Sequence, residues 1–423
     1  MKKIFFISFL FLQSIAFAKE ALLEPMKYIP VQDGGRIKPL DTFARESLQL
    51  MHGKSDYNGR PAIDILFTIL LAPGEWEKTE FIKIDHKGLK KSLKLDPEVK
   101  YFSPITLMRN DRLGLVLQEL QSSRQVGEKL GPFEQAVQRL ENQLGMFVAI
   151  KSGQGIHISP DANGWLGIDK VDPDIGKDLA DATQIVASLM AAEVQGTTEK
   201  SAKPNEGLAV LADSIIAKIQ KLNTTPIDMR AIKAEVFYNS FHPFQWAWIC
   251  YLLAVVVLFL FWVLRFSRGY WAVWALTLSG FALHTFGFAL RVYLLGRPPV
   301  SNMYETVIWV AWGSLCLAMI LTKVSGRKVI HSAGLIVATL CLIVADLAPT
   351  ILDSSLQPLE PVLRSNMWLM IHVMTITLSY ACFFLAFGIG DFGLYLLIRG
   401  EKENSPKVRE AADSVYRAMQ VGV

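Results

Sequence analysis

Cysteine is scarce in this chain, and none of it lies where it could staple a folded exterior. The four cysteines (Cys250, Cys316, Cys341 and Cys382) all fall in apolar stretches, and no Cys-x-x-Cys pair occurs. That excludes a disulfide framework, a thiol-exchange centre and a cysteine zinc site, and leaves small core residues. A Lys/Arg tract able to follow a phosphate backbone is also missing, and the net charge is only +4. Nucleic acid is thereby excluded as a partner. There is no internal repeat and no catalytic motif in the first 240 residues. Charge itself nearly vanishes from the long apolar runs that follow them.

What is present is organised in three parts. Residues 1–18 read as a secretory signal, with Lys2 and Lys3, an apolar run from Ile4 to Leu12, and Ala16-Phe17-Ala18. Residues 19–242 read as a mostly helical, soluble, exported domain. A Gly34-Gly35 turn joins two short extended pieces, and Asp41 or Thr42 caps a helix through about Met51. Further helices are predicted near 113–123, 131–150, 176–194, 206–222 and 228–237. In the second of these Phe133, Ala136, Val137, Leu140 and Leu144 recur at helical spacing. Gly196–Gly207 reads as a flexible linker.

From residue 243 the pattern is that of a membrane domain. Five apolar stretches, roughly 245–264, 270–294, 304–322, 330–349 and 367–397, are each long enough to cross about 30 Å of hydrocarbon. With the N-terminus outside, Arg265, Arg268, Lys323, Arg327, Lys328, Arg399, Lys402, Lys407 and Arg409 fall on the inner side. Only Arg291, Arg297 and Arg364 fall outside, which obeys the positive-inside rule. Trp246, Trp248 and Trp368 sit at the expected interfaces. The predicted fold class is therefore mainly α: about five membrane helices behind a helical exported domain.

The richest segment is Gly296–Glu305, a polar bridge between two apolar runs. Pro298 and Pro299 fix an extended turn, and Asn302 with Glu305 has the spacing of a capping box. A plain hairpin does not need Arg291, Arg297, Tyr304 and Glu305 gathered at one end, so these are candidate site residues. His284 lies about 15 Å inside the membrane at about 1.5 Å per residue, where an imidazole needs a partner or an iron. His372, four residues after Trp368, is placed to serve as an axial iron ligand reachable from outside. A hydrogen-bonded structural histidine is the plainer reading of either. His331 is expected to snorkel at an inner helix end, and His242 to sit at the membrane entry. His52, His86 and His157 have no ligand-like spacing. Asp346 is accounted for by helix-end solvation, and Asp391 stays unassigned. Together the outer residues suit an amphipathic anionic cofactor. Haem fits, with a ring for aromatic contact, iron for imidazole, and propionates for Arg291, Arg297 or Arg364. A quinone headgroup or a lipid would satisfy much of the same set.

Two runs carry a family resemblance. Arg291-Val-Tyr-Leu-Leu-Gly-Arg-Pro-Pro-Val-Ser-Asn-Met-Tyr-Glu-Thr-Val-Ile-Trp-Val-Ala-Trp312 closely resembles the signature of the system II cytochrome c synthetases of the CcsA/ResC type. Leu363-Arg-Ser-Asn-Met-Trp-Leu-Met-Ile-His-Val-Met-Thr-Ile-Thr-Leu-Ser-Tyr380 is similar to the family helix that bears the first external haem-ligand histidine. Pro30-Val-Gln-Asp-Gly-Gly-Arg-Ile-Lys-Pro-Leu-Asp-Thr42 is similar to a segment of long bacterial members. The resemblance implies that haem is presented outside the membrane and joined by thioether bonds to an apocytochrome c Cys-x-x-Cys-His motif. It implies His372 as the first external ligand, haem b as substrate, and a ResB/CcsB-type membrane subunit as partner. His284 receives no role from it.

The family's tryptophan-rich segment, of the Trp-Gly-x-x-Trp-x-Trp-Asp-Pro type, does not occur in the sequence, nor does the second external histidine that follows it. Ala411–Val423 looks like the segment leading into that region. The expectation is an N-terminal portion of a longer protein, or one half of a split one, inactive without a separate C-terminal portion. The alternative is a non-catalytic, membrane-anchored module that binds haem or a partner.

Overall fold

The computed structural model describes residues 22–127, 129–162, 164–194, 202–264, 269–348, 352–358 and 367–423. The expected signal segment, Arg265, Arg268, Arg364 and the first half of the expected linker lie outside the described residues. The chain divides into two units, Met1–Val236 and Phe237–Val423.

The first unit runs β1 (Pro30–Asp33), β2 (Arg36–Pro39), α1 (Leu40–His52), β3 (Asp56–Tyr57), β4 (Arg60–Pro61), α2 (Ala62–Leu71) and α3 (Pro73–Lys78). It continues with β5 (Ile82–Lys83), α4 (Lys87–Ser92), β6 (Tyr101–Phe102), α5 (Pro104–Met108), α6 (Leu113–Val126) and α7 (Pro132–Lys151). Then come β7 (His157–Asp161), β8 (Gly164–Gly167), α8 (Pro173–Val194), α9 (Ala202–Leu222) and α10 (Met229–Phe241), within which the unit boundary falls.

Gly34 and Gly35 take φ of +58° and +78°, the left-handed pair that a two-residue hairpin turn requires. Asp33 therefore faces Arg36, and Pro30 faces Pro39. The β7–β8 hairpin adds beyond β1, giving an antiparallel sheet of order β2-β1-β7-β8. α7 buries Val137, Leu140, Leu144, Phe147 and Ile150 into the core that α1 and α2 share. Fully buried rings such as Phe81 and Phe147 each contribute roughly 1.5–3 kcal/mol.

Two expectations for this unit need correction. Neither Asp41 nor Thr42 caps α1. Pro39 holds the entry in extended geometry, and the Leu40 N–H donates to the Ile29 carbonyl. Thr42 instead donates to Glu235 at 2.7 Å, and Asp41 accepts from Arg45 at 2.8 Å. The expected linker is also shorter than its composition suggests, because α9 begins at Ala202. The Gly-Gly motif supplies buried charge as well as a turn. Arg36 grips Glu235 with two parallel bonds of 2.7 and 2.8 Å. Lys38 bridges Asp33 at 2.6 Å and also pairs with Glu46. Burial holds the Glu46 carboxyl above its ordinary range, against the pull of Lys38.

The second unit contains α11 (Pro243–Val263), α12 (Tyr270–Leu295), α13 (Met303–Ser325), α14 (Lys328–Leu347), α15 (Met367–Ile398) and α16 (Pro406–Gly422). α11 through α15 are long and apolar enough to cross a membrane. α14 is central, packing on α11, α13 and α15. Small residues allow this approach. A Cβ at Gly334 would run into that of Ala318, and one at Gly280 would lie 2.6 Å from the Tyr251 ring. α16 folds back along α15, so that Ser379 donates to the Gly422 carbonyl.

Candidate functional site

The site is built at the hairpin joining α12 to α13. α12 ends at Gly296, whose φ of +62° lets its N–H return to the Val292 carbonyl. The expected extended turn is tighter: the Val300 N–H donates to the Pro298 carbonyl at 3.1 Å and the chain bends at Pro299 and Ser301, before Asn302 starts α13, its Oδ1 accepting the Glu305 N–H at 2.7 Å. The predicted capping box is therefore only half made. The Glu305 side chain does not reach back to the Asn302 N–H; it turns inward and accepts from the Ser301 N–H (3.0 Å) and the Ser301 hydroxyl (2.9 Å).

Two arginines explain that turn. Arg291 Nη2 meets Glu305 Oε1 at 2.9 Å, and Arg297 Nη1 meets Oε2 at 2.8 Å. Arg291 and Glu305 are wholly buried, and Arg297 and Tyr304 nearly so. The Arg291 guanidinium lies 5.2 Å over the Tyr304 ring and donates to the Tyr238 hydroxyl at 3.0 Å. One carboxylate cannot neutralise two buried cations, and backbone dipoles supply the remainder. Arg291 donates to the carbonyls of Ser354 (3.0 Å) and Ser355 (3.3 Å). Arg297 donates to those of Pro298 (3.2 Å) and Gln357 (2.7 Å), and Asn302 Nδ2 to that of Asp353 (3.3 Å). Among the described residues, only the Nε–H of each arginine lacks a partner. The polar excess of the hairpin thus holds the segment 352–358, which comes shortly before α15 in the sequence.

His284 lies two turns deeper on α12, wholly buried. Its ring stacks on Phe288 at 5.1 Å, meets the edge of Phe244, and takes the Tyr251 hydroxyl on Nδ1 at 3.3 Å. Nε2 makes no well-formed hydrogen bond. Trp309 and Trp312 extend the aromatic cluster around Phe288.

Trp368 and His372 share one face of α15, and both are exposed. His372 makes no hydrogen bond or ion pair with the described residues. The structure does not bring the two into contact with the arginine cluster, but it sets them at the same level. α13 and α15 run parallel, with Ser314 donating to the Ala381 carbonyl at 2.8 Å. Nine residues back along each helix, at about 1.5 Å per residue, His372 stands level with Glu305.

His331 does not snorkel as expected. It is wholly buried, stacked on Trp274 at 4.3 Å, with Nδ1 at 2.9 Å from the Tyr270 hydroxyl. Aromatic rings from α12 cover it, where its helix-end position suggested open water. Asp346 is engaged too, accepting from Trp248 Nε1 at 3.1 Å. Sequence reasoning passed over Tyr238 and Ser301, which complete the arginine cluster; neither carries a signal beyond its place near a helix end. Among the described residues no group of three metal-ligating side chains converges.

Five hydrophobic helices with buried charge at one end, and level with it an imidazole that has no partner among the described residues, define a multi-pass membrane protein with a built polar end. Residues 300–423, which include both Glu305 and His372, match the family described as Cytochrome C assembly protein. The chain is similar to Protein NrfI of Wolinella succinogenes, 25% identical over 384 residues that cover 88% of this chain and 41% of that protein. It is similar to the cytochrome c biogenesis protein CcsA of Prochlorococcus marinus, 26% identical over 162 residues (38% of this chain, 49% of that protein). It also resembles CcsA of Trichodesmium erythraeum, 35% identical over 86 residues (20% and 23%). The chain thus spans at most about half the length of these relatives. The second unit is less than half of the chain, so the likeness to NrfI reaches well into the first unit. That is further than the one motif there suggested.

Proposed function

We propose that this chain forms part of the haem-handling surface of a cytochrome c assembly protein, in which His372 is an axial ligand to haem b at the outer membrane face. The observation that carries this reading is His372 itself. It is an exposed imidazole without a hydrogen-bond partner among the described residues, inside the matched family region and level with a preorganised polar cluster. Trp368, one turn earlier on the same face, offers a ring edge or face to the macrocycle. His284 is the second candidate ligand, since a buried imidazole nitrogen without a good partner suits a soft metal ion better than it suits hydrocarbon.

In this reading Arg291, Arg297, Tyr304 and Glu305 act on haem by fixing the outer loop beside it. Haem is the substrate, carried to an apocytochrome c whose own cysteines add across its vinyl groups. Positioning and iron ligation are this protein's share. The first unit stands outside a bacterial cytoplasmic membrane. A ResB/CcsB-type subunit and a separate C-terminal portion are the expected partners.

The test is haem binding by the whole chain in detergent. Wild type is expected to give a reduced haem spectrum with imidazole on the iron. His372→Gly should lose it, and added imidazole should restore it. A spectrum that His372→Gly leaves intact sinks the assignment.

A further inference from the structure

A separate feature lies in the first unit and does not depend on haem. A cavity of about 330 Å³ opens between α4 and α7. Its floor is apolar, formed by the buried side chains of Ile84, Leu89 and Leu140. Gln143 stiffens it by donating its amide to the carbonyls of Leu50, Lys83 and Met51 (2.9, 3.1 and 3.4 Å).

The rim is cationic, and one of its cations is uncommitted among the described residues. Arg139 is half-buried and makes no ion pair or hydrogen bond with the described residues. Its neighbours one turn away on α7 are Gln135, Ala136, Asn142 and Gln143, none of them acidic. The carboxylate in the lining, Asp85, is already held by Lys83 at 2.9 Å. His86 also faces the cavity. Its Nδ1 accepts the Leu89 N–H at 3.0 Å, so the neutral ring carries its proton on Nε2 as a donor.

We propose that this cleft binds a carboxylate carried on a short apolar body. Guanidinium and carboxylate match as a two-bond fork. The apolar floor takes the body, and the volume, at the low end for small-ligand sites, limits its length. Two sources share that chemistry, a free short-chain acid and the C-terminal carboxylate of a peptide.

Titration calorimetry on the full chain in detergent separates them. Hexanoate is compared with hexanamide, and an acetylated Ala-Leu-Leu peptide with its C-terminal amide. Saturable binding of at least one acid is expected, with its amide at least tenfold weaker. Arg139→Gln should weaken the acid at least tenfold, and Arg139→Lys should recover part of that loss. Arg124→Gln, which removes a charge paired with Glu141 outside the cavity, should change nothing. The tighter of the two acids identifies the source. No saturable binding by either acid, equal binding of acid and amide, or affinity indifferent to Arg139→Gln overturns the proposal.

Discussion

Two helix ends at one level of the second unit carry polar side chains in opposite states. At the α12–α13 hairpin the charges are buried and their donors are nearly all taken, by Glu305 and by backbone carbonyls. At the start of α15, Trp368 and His372 are exposed, and the imidazole has no hydrogen bond to the described residues. The contrast separates support from contact. Groups that are fully paired fix the backbone and have little left for a ligand, whereas an imidazole at the same level with no partner among the described residues has its nitrogens available to one. Polar residues crowded in sequence are therefore a poor guide to which of them touches a substrate.

Mutation should break this contrast most severely at Glu305. Glu305→Gln leaves two arginines buried without their anion, a loss of about 3–5 kcal/mol. Thermal unfolding in detergent should show the protein folding poorly or not at all. Arg291→Met should cost somewhat less, because Arg297 still holds the carboxylate. The double variant Glu305→Gln/Arg291→Met should fall short of the summed losses by at least about 1 kcal/mol, as residues in one network do. Additive losses would mean that the pair is not coupled. His372→Ala should sit at the other extreme, with stability unchanged to within about 0.5 kcal/mol while haem binding is lost. A large drop in its melting temperature would erase the distinction between support and contact.

The smallest effect concerns His52, an imidazole intermediate between the two states. It stacks on Tyr101 and lies 3.0 Å from the Phe81 carbonyl, and burial holds it below its ordinary value. A histidine depressed in the folded state stabilises above its unfolded value of about 6.5, and that contribution fades as pH falls through the folded value. The melting temperature of the first unit should decline modestly from pH 7 to pH 5, and His52→Gln should flatten that decline. An unchanged slope would place the titrating group elsewhere.

The five membrane helices were legible to within a few residues, because length and unbroken apolarity suffice to define such a span. The hairpin around Gly34-Gly35 was equally plain, since few residues other than glycine accept that turn. α2 escaped notice as a ten-residue apolar run, too short to be told from a strand by periodicity. The sheet formed with β7 and β8 escaped because its partners lie more than a hundred residues apart. At the candidate site, the gathering of Arg291, Arg297, Tyr304 and Glu305 could be read in advance. Their engagement with residues 353–357 could not, because every residue has a carbonyl and none advertises which donor it will meet. His331 was misplaced for a related reason: its position on α14 was clear, but the rings of Tyr270 and Trp274 that cover it come from another helix.

The grip on residues 353–357 is a grip on main-chain oxygens. Such a clasp follows the path of the chain and is indifferent to spelling. Every residue type, proline included, keeps its carbonyl, so the arginines hold the path of the backbone, and one inserted or deleted residue shifts every acceptor out of place. The segment thus behaves as a socket of fixed length, seated by the buried Leu352 and Leu356, tied to itself through Asp353, Ser355 and Gln357, and clasped by the arginines from outside.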